Sequence, residues 1–284
     1  MQAWDVHTHP PSEGYLNVAH GPYLAALRRH WKHGVEPRPI EAMVEEYRAL
    51  DVRAIISAWD AETATGLAGV TNDEVATIVE RFPDRFVGWA HVDPWKGKIA
   101  VRELRRAVTE LGLRGVGEFH PSMQAFAPSD QRFNELWETC IELDIPVSFH
   151  TGTTGVGAGM PGGGGLQLSY AHPLHLDDLA ARYPALTIVA CHPSFPWLEE
   201  TLAILTHKAN VLMDLSGWSP RRFPPMLIDA INGPLGERMM FGTDYPWLTP
   251  RKWLEAFARL DIREEMRSKV LRENAERLLG LPAP

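Results

Sequence analysis

The chain has 284 residues, a hydrophobic fraction of 45% and a formal net charge of −8. That apolar content suits a globular protein with a sizeable core, and the length fits one large α/β domain or two ordinary ones. No basic run exceeds a pair such as Arg28-Arg29 or Arg221-Arg222. An extended nucleic-acid surface is therefore excluded, because phosphate backbones are held by clustered Lys and Arg.

No apolar stretch approaches the roughly 18 residues that span a bilayer. An apolar strand is reached by Trp4, so no signal peptide is expected. Cys140 and Cys191 each sit inside an apolar segment and read as free thiols of a reducing compartment. The expected location is cytoplasmic. The expected partner is a small molecule, not a membrane or a nucleic acid, with a homodimer left open.

Short apolar, β-branched runs recur along the chain. They are "AWDVHTH" (3–9), "VRAIISA" (52–58), "RFVGWAHVD" (85–93), "LRGVGEFHP" (113–121), "IPVSFHT" (145–151), "LTIVACHP" (186–193), "NVLMDLSG" (210–217) and "RMMFGTDYP" (238–246). Amphipathic stretches at 40–50, 72–82, 101–111, 131–143 and 198–208 alternate with them. Near-continuous apolar strands belong to a parallel sheet covered on both faces. Eight such strand–helix units are the rhythm of an α/β (β/α)8 TIM barrel, over a single domain spanning 1–284. A doubly wound open sheet is the competing layout, but it rarely carries so many even repeats. Two long insertions follow the first and fifth strands, at 10–35 and in the glycine-rich segment after His150. Loops this long, rising on the catalytic face of a barrel, are read as covers for a site.

That segment, "GVGAGMPGGGG" (155–165), contains the spacing Gly157-x-Gly159-x-x-Gly162 of a dinucleotide-binding turn. Such a turn must open directly into a helix whose N-terminus meets the pyrophosphate. Here Pro161, further glycines and "LQLSYAHP" follow, with no amphipathic helix until about Pro173. Nucleotide binding is set aside, and the loop is read as a wall or lid.

The strand ends carry the chemistry. Alternate residues of a strand share a face, so His7 and His9 point together into the barrel mouth. The fourth strand ends in Glu118 and His120, the fifth in His150, the sixth in His192 and the eighth in Asp244. Imidazole and carboxylate are ligands of zinc and similar divalent ions, and a barrel assembles its site at these ends. Isolated histidines such as His91 and His120 are read as hydrogen-bonded core or rim residues. His172, His175 and the loop histidines 20, 30 and 33 are read as lid or surface. Of the ten tryptophans, Trp59 and Trp218 are candidates to wall a planar substrate. Arg221 and Arg222 are candidates to clamp a substrate carboxylate.

Together "DVHTHP", "SFHTGT", "ARYPALTIVACHPSFPW" and "MMFGTDYPW" resemble the amidohydrolase superfamily. More narrowly, they resemble the amidohydrolase-related group that includes aminocarboxymuconate-semialdehyde decarboxylase and several lactone hydrolases. The similarity runs in order through nearly the whole chain. It implies a metal-dependent barrel with His7, His9, His150 and Asp244 around a divalent ion, zinc first and manganese second, and His192 as a second catalytic group. Many superfamily hydrolases place a carboxylated lysine at the end of the fourth strand. This chain has Glu118 there, read as a further ligand that can bridge two metals. A bridging glutamate resembles TatD-type deoxyribonucleases, whose surrounding sequence this chain does not share.

The expected chemistry is metal-activated water attacking a small lactone, amide or carboxylate-bearing metabolite. Asp244 relays the proton and His192 steadies the oxyanion. The alternative is non-oxidative decarboxylation of an unsaturated or aromatic acid at the same centre. A remote third reading is a barrel that binds metal without turnover.

Overall fold

The computed structural model describes residues 3–32 and 34–281, excepting the side chain of His30. Parallel strands follow one another as β1 (Ala3–Thr8), β2 (Val52–Ile56), β3 (Phe86–Gly88), β4 (Val116–Phe119), β5 (Val147–His150), β6 (Ile188–Cys191), β7 (Val211–Asp214) and β8 (Met239–Met240). They pair in chain order as β1-β2-β3 and β4-β5-β6-β7-β8. Single bridges, Ala90 with Val116 and Thr8 with Tyr245, join the two arcs into a ring. The Ala90 N–H donates to the Gly115 carbonyl at 2.8 Å, and the His9 N–H donates to that of Tyr245 at 2.8 Å. The fold is the expected (β/α)8 barrel.

The strands are shorter than the apolar runs. The eighth, expected over 238–246, keeps ladder geometry only at Met239–Met240. Beyond it the backbone turns to other partners: Phe241 N–H donates to Val270 and Asp244 N–H to the His7 carbonyl. Between strands the helices form where the pattern places them. Ile40–Ala49, Asn72–Arg81, Lys98–Thr109, Asn134–Glu142 and Leu198–His207 all lie within three residues of the sequence bounds. Helix Asn72–Arg81 opens on a capping box in which Thr71 and Glu74 satisfy each other's backbone N–H. Helix Lys98–Thr109 buries Ala100, Val101, Leu104 and Ala107, the one-face spacing of an outer-layer helix.

Two apolar cores result. The larger lies between strands and helices. The smaller gathers Trp4, Val6, Ile55, Val87, Trp89, Val189 and Met240 from around the ring, closed by Ala275 and Leu279. This smaller set fills the barrel, and the strand-end histidines sit above it. No described helix is long and apolar enough to cross a membrane. Cys140 and Cys191 are free and buried.

The insertion after β1 forms a π-helical turn, Gly14–Ala19, and helix Tyr23–Trp31. The glycine segment coils into a 3-10 turn, Pro161–Gly165, with Gly162, Gly163 and Gly164 left-handed at φ 59°, 63° and 66°. The two insertions touch: the Tyr23 hydroxyl donates to the Gly164 carbonyl at 3.2 Å. The next helix begins only at Leu174.

Candidate metal centre

Strict alternation along β1 puts Asp5, His7 and His9 on one face, with Trp4 and Val6 on the other. The structure separates them. Asp5 faces outward, accepting from the Tyr47 hydroxyl at 2.8 Å and from the Thr243 hydroxyl at 2.6 Å. A register shift between Asp5 and Thr8 rotates the strand, and His7 and His9 turn into the mouth. The expectation that the two histidines share a direction holds because the irregularity precedes both.

Each imidazole is fixed from behind. His7 Nδ1 lies 3.0 Å from an Asp214 carboxylate oxygen, and His9 Nδ1 lies 3.0 Å from the Ser57 carbonyl. Both Nδ1 atoms therefore carry a hydrogen, and both Nε2 atoms are the ones that a cation, displacing any proton there, would meet. These Nε2 atoms are buried with no hydrogen-bond partner, as is Nε2 of His150. Buried polar groups are seldom left so.

The unpaired nitrogens converge on two carboxylates. His9 Nε2 is 3.5 Å from Asp244 Oδ1 and 3.8 Å from Glu118 Oε2. His7 Nε2 is 3.6 Å from Glu118 Oε2 and 4.0 Å from Asp244 Oδ1. Donors held about 2.1 Å from one tetrahedral ion lie roughly 3.4 Å apart, so this set fits a divalent cation. The other Glu118 oxygen, Oε1, faces a second group: His150 Nδ1 at 2.9 Å and His192 Nε2 at 3.2 Å. Glu118 thus divides its oxygens between two clusters of candidate ligands, each of which can hold an ion. Through Nδ1 His150 joins the second cluster, while its Nε2 is left buried without a partner.

Charge reinforces the fit. Burial opposes a proton on His7, yet Asp214, Cys191 and Glu118 outweigh it and hold the pKa well above the imidazole range. Burial likewise opposes ionisation of Glu118 and Asp214, but His7 and the hydrogen bonds they accept keep both depressed. The pocket is built for positive charge beside His7.

His192 and Asp244 share a further property: both have left-handed backbone, at φ 70° and 64°. For residues with a Cβ this costs about 1–2 kcal/mol each, and such strain gathers at functional sites. Hydrogen bonds hold the geometry, from His192 N–H to Asp214 Oδ1 at 3.2 Å and from Asp244 N–H to the His7 carbonyl at 2.9 Å. Ser216 donates its hydroxyl hydrogen to Asp214 and stands 2.8 Å from His192 Nδ1. The imidazole must then donate from Nδ1, which directs Nε2 at Glu118. Burial opposes charge on His192, but Glu118 raises its pKa.

A cavity of about 150 Å³ opens over these groups. A dry cavity of that size accepts one benzene ring. Glu118, His150, His192 and Asp244 line it, and so do Trp59 and Trp218 as expected, with Trp31 and Trp247. Thr153 to Val156 and Ala158, at the start of the glycine segment, form part of its wall. Arg221 and Arg222 are exposed in the turn Pro220–Arg222, and neither lines this cavity. Arg222 instead lines a neighbouring cavity that shares Trp31, Trp218 and Trp247.

Three residues have a different place from the sequence reading. His120, taken as core or rim, lines the cavity and stacks on His150 at 4.1 Å. His20, taken as lid or surface, is fully buried in the same wall. Asp214, not singled out at all, orients His7; its position at the end of β7, matching the other strand-end acids, was the available signal. His91 is core as expected, bonded to the Val70 carbonyl. His172 packs on Trp197 and His175 bonds to Ser129, both outside the cavity. His33 lies outside the described residues.

The amidohydrolase family model matches residues 4–281. The chain belongs to that family. This amidohydrolase is 28% identical over 284 residues to the gamma-resorcylate decarboxylase of Rhodococcus jostii, covering 85% of this chain and 84% of the relative. An uncharacterised TIM-barrel protein of Bordetella bronchiseptica superposes with a TM-score of 0.82 at 26% identity, over 99% of both chains. The 5-carboxyvanillate decarboxylase of Novosphingobium aromaticivorans, solved with manganese and a nitrobenzoic acid, superposes with a TM-score of 0.73 at 18% identity, over 99% of this chain and 96% of that one. At that identity it is a likeness of fold.

Proposed function

We propose that this amidohydrolase is a metal-dependent decarboxylase of a small one-ring aromatic or unsaturated acid. The observation that carries the reading is the likeness to gamma-resorcylate decarboxylase along most of both chains. It reverses the order expected from the sequence, where hydrolysis came first. The cavity supports it through its one-ring volume and its tryptophan walls. No Lys or Arg lines that cavity among the described residues, which leaves a bound metal and His192, whose pKa is raised, to supply positive charge for a substrate carboxylate. Arg222, at the neighbouring cavity, is retained as a contact for a group projecting from the ring.

His7, His9, Asp244 and Glu118 would hold the ion, zinc or manganese, both suited to mixed nitrogen and oxygen donors. When bound, it supplies positive charge that polarises a substrate oxygen. Asp244, partly open to the cavity, carries a proton and delivers it to the ring carbon that bears the carboxylate. The electron pair of the carbon–carbon bond then returns to the ring as carbon dioxide leaves. His192, fixed by Ser216, keeps Glu118 and the cavity floor in register. Trp59 and Trp218 exclude water from the ring face.

Hydrolysis remains the second reading, favoured by one observation: Glu118 is shared between two ligand clusters, as a metal-bridging carboxylate would be. The test is direct. Metal-loaded enzyme given 2,6-dihydroxybenzoate and related hydroxybenzoates is expected to release carbon dioxide and the parent phenol. Turnover of lactones with incorporation of labelled water, and none of benzoates, would overturn the decarboxylase reading.

A further inference from the structure

We propose that His20 and Trp59 form a recognition pair for a hydroxyl group of the substrate. The inference rests on reading the site as one for a small ring acid. His20 follows the π-helical turn after β1 and is fully buried. Its Nδ1 lies 2.8 Å from the Tyr15 carbonyl. A carbonyl only accepts, so Nδ1 carries the hydrogen and Nε2 is a bare lone pair. That Nε2 is buried without a partner. Burial also depresses the His20 pKa to about 4, which keeps the ring neutral.

The Trp59 indole is the complement. Its Nε1–H is a donor only, is buried, and likewise has no partner. The two rings stand 4.7 Å apart, tilted by 59°, and both line the cavity beside the metal cluster. One ring carries an orphaned acceptor and its neighbour an orphaned donor, and a single group that satisfies both must accept and donate. A carboxylate accepts from Trp59 but has nothing to give His20. An ammonium donates to His20 but cannot accept from Trp59. A hydroxyl oxygen does both at once, taking the indole hydrogen and giving its own to the imidazole. A site built around a hydroxyl rejects the analogue that lacks it, because its buried partners are then left unpaired.

The experiment is calorimetric titration of the metal-loaded enzyme with matched pairs, the 2-, 3- and 4-hydroxybenzoates against the corresponding methoxybenzoates. Wild type is expected to prefer the hydroxyl member of at least one pair by about tenfold or more. His20→Phe, which removes the acceptor, should reduce that preference to about twofold or less, whereas Trp59→Phe, whose indole hydrogen either member of a pair can accept, should weaken binding of both members. Thermal melting and metal content verify that each variant is folded and loaded. A preference unchanged in folded His20→Phe, or hydroxybenzoate affinity unchanged in folded Trp59→Phe, overturns the pairing. So does a wild type that binds no member of the series or fails to discriminate within any pair. Carbon dioxide release is followed separately. Discrimination without it refutes the decarboxylase reading and leaves the pair standing, and release without discrimination does the reverse.

Discussion

Gly217 supports His192 in a way a single methyl group can disturb. Its φ is +68°, and a Cβ there would stand 2.7 Å from His192 Nδ1, 3.2 Å from Cε1 and 3.3 Å from Cγ. Ordinary contact begins at 3.4 Å, so in Gly217→Ala the imidazole must retreat by the difference, about 0.7 Å. That movement pulls Nδ1 from Ser216 Oγ, now 2.8 Å away. The left-handed backbone costs alanine about 1–2 kcal/mol, and the weakened hydrogen bond adds about 1 kcal/mol. The melting temperature should fall by about 3–5 °C. His192 positions Glu118, and misplacing such a group by about this much costs up to about a hundredfold in rate. The control is Gly66→Ala, with φ +72° and nothing within 4 Å of the added Cβ. It carries the same backbone strain and touches nothing at the site. The assays are steady-state turnover, thermal melting and metal analysis on both variants. Gly66→Ala should keep the wild-type metal content, and in Gly217→Ala any loss should be confined to the cluster that contains His192. If Gly217→Ala loses no more activity than Gly66→Ala, the support of His192 by this contact is refuted.

Asp214→Asn replaces the carboxylate behind His7 with a neutral amide, so metal affinity should weaken about 10–100-fold in chelator competition; unchanged affinity would mean that the Asp214 charge does not tune His7 as a ligand. With Glu118 shared between two clusters, purified enzyme should hold more than one metal per chain and Glu118→Gln should hold fewer, whereas a stoichiometry of one in both would reduce Glu118 to an orienting residue. Deleting the four glycines Gly162–Gly165 should impair turnover with metal content unchanged, because the segment packs through Gly164 on Tyr23 and not on the ligands; loss of metal would contradict the wall assignment. His20 is held neutral, its folded pKa of about 4 lying below the unfolded 6.5, so the unfolded chain binds the extra proton and stability is lost as pH falls through that window. From pH 7 to pH 5 this term should cost wild type about 2 kcal/mol and spare His20→Phe, so denaturation midpoints of the pair should converge in acid; parallel loss in both would exclude His20 as the source.

Much of the architecture was legible in the chain. Apolar runs of strand length alternating with amphipathic stretches are local patterns, and each records how one segment must bury its own face. Eight of them in order leave the barrel as the closed solution, and a barrel gathers its strand ends at one mouth. The chain alone therefore places His7, His9, Glu118, His150, His192 and Asp244 at that one mouth. What local pattern could not decide was rotation and partnership. Asp5 and His7 look equivalent by alternation, yet a register shift sends one outward to Tyr47 and the other inward. His20 reads as a loop histidine, but the turn after β1 folds back to bury it against Trp59. Glu118 reads as one more ligand, and only the packed ring shows its two oxygens facing different clusters. Periodicity is a property of neighbours in sequence and survives in the chain alone. Tautomers, orphaned atoms and shared carboxylates are set by neighbours in space, which exist only once the ring has closed.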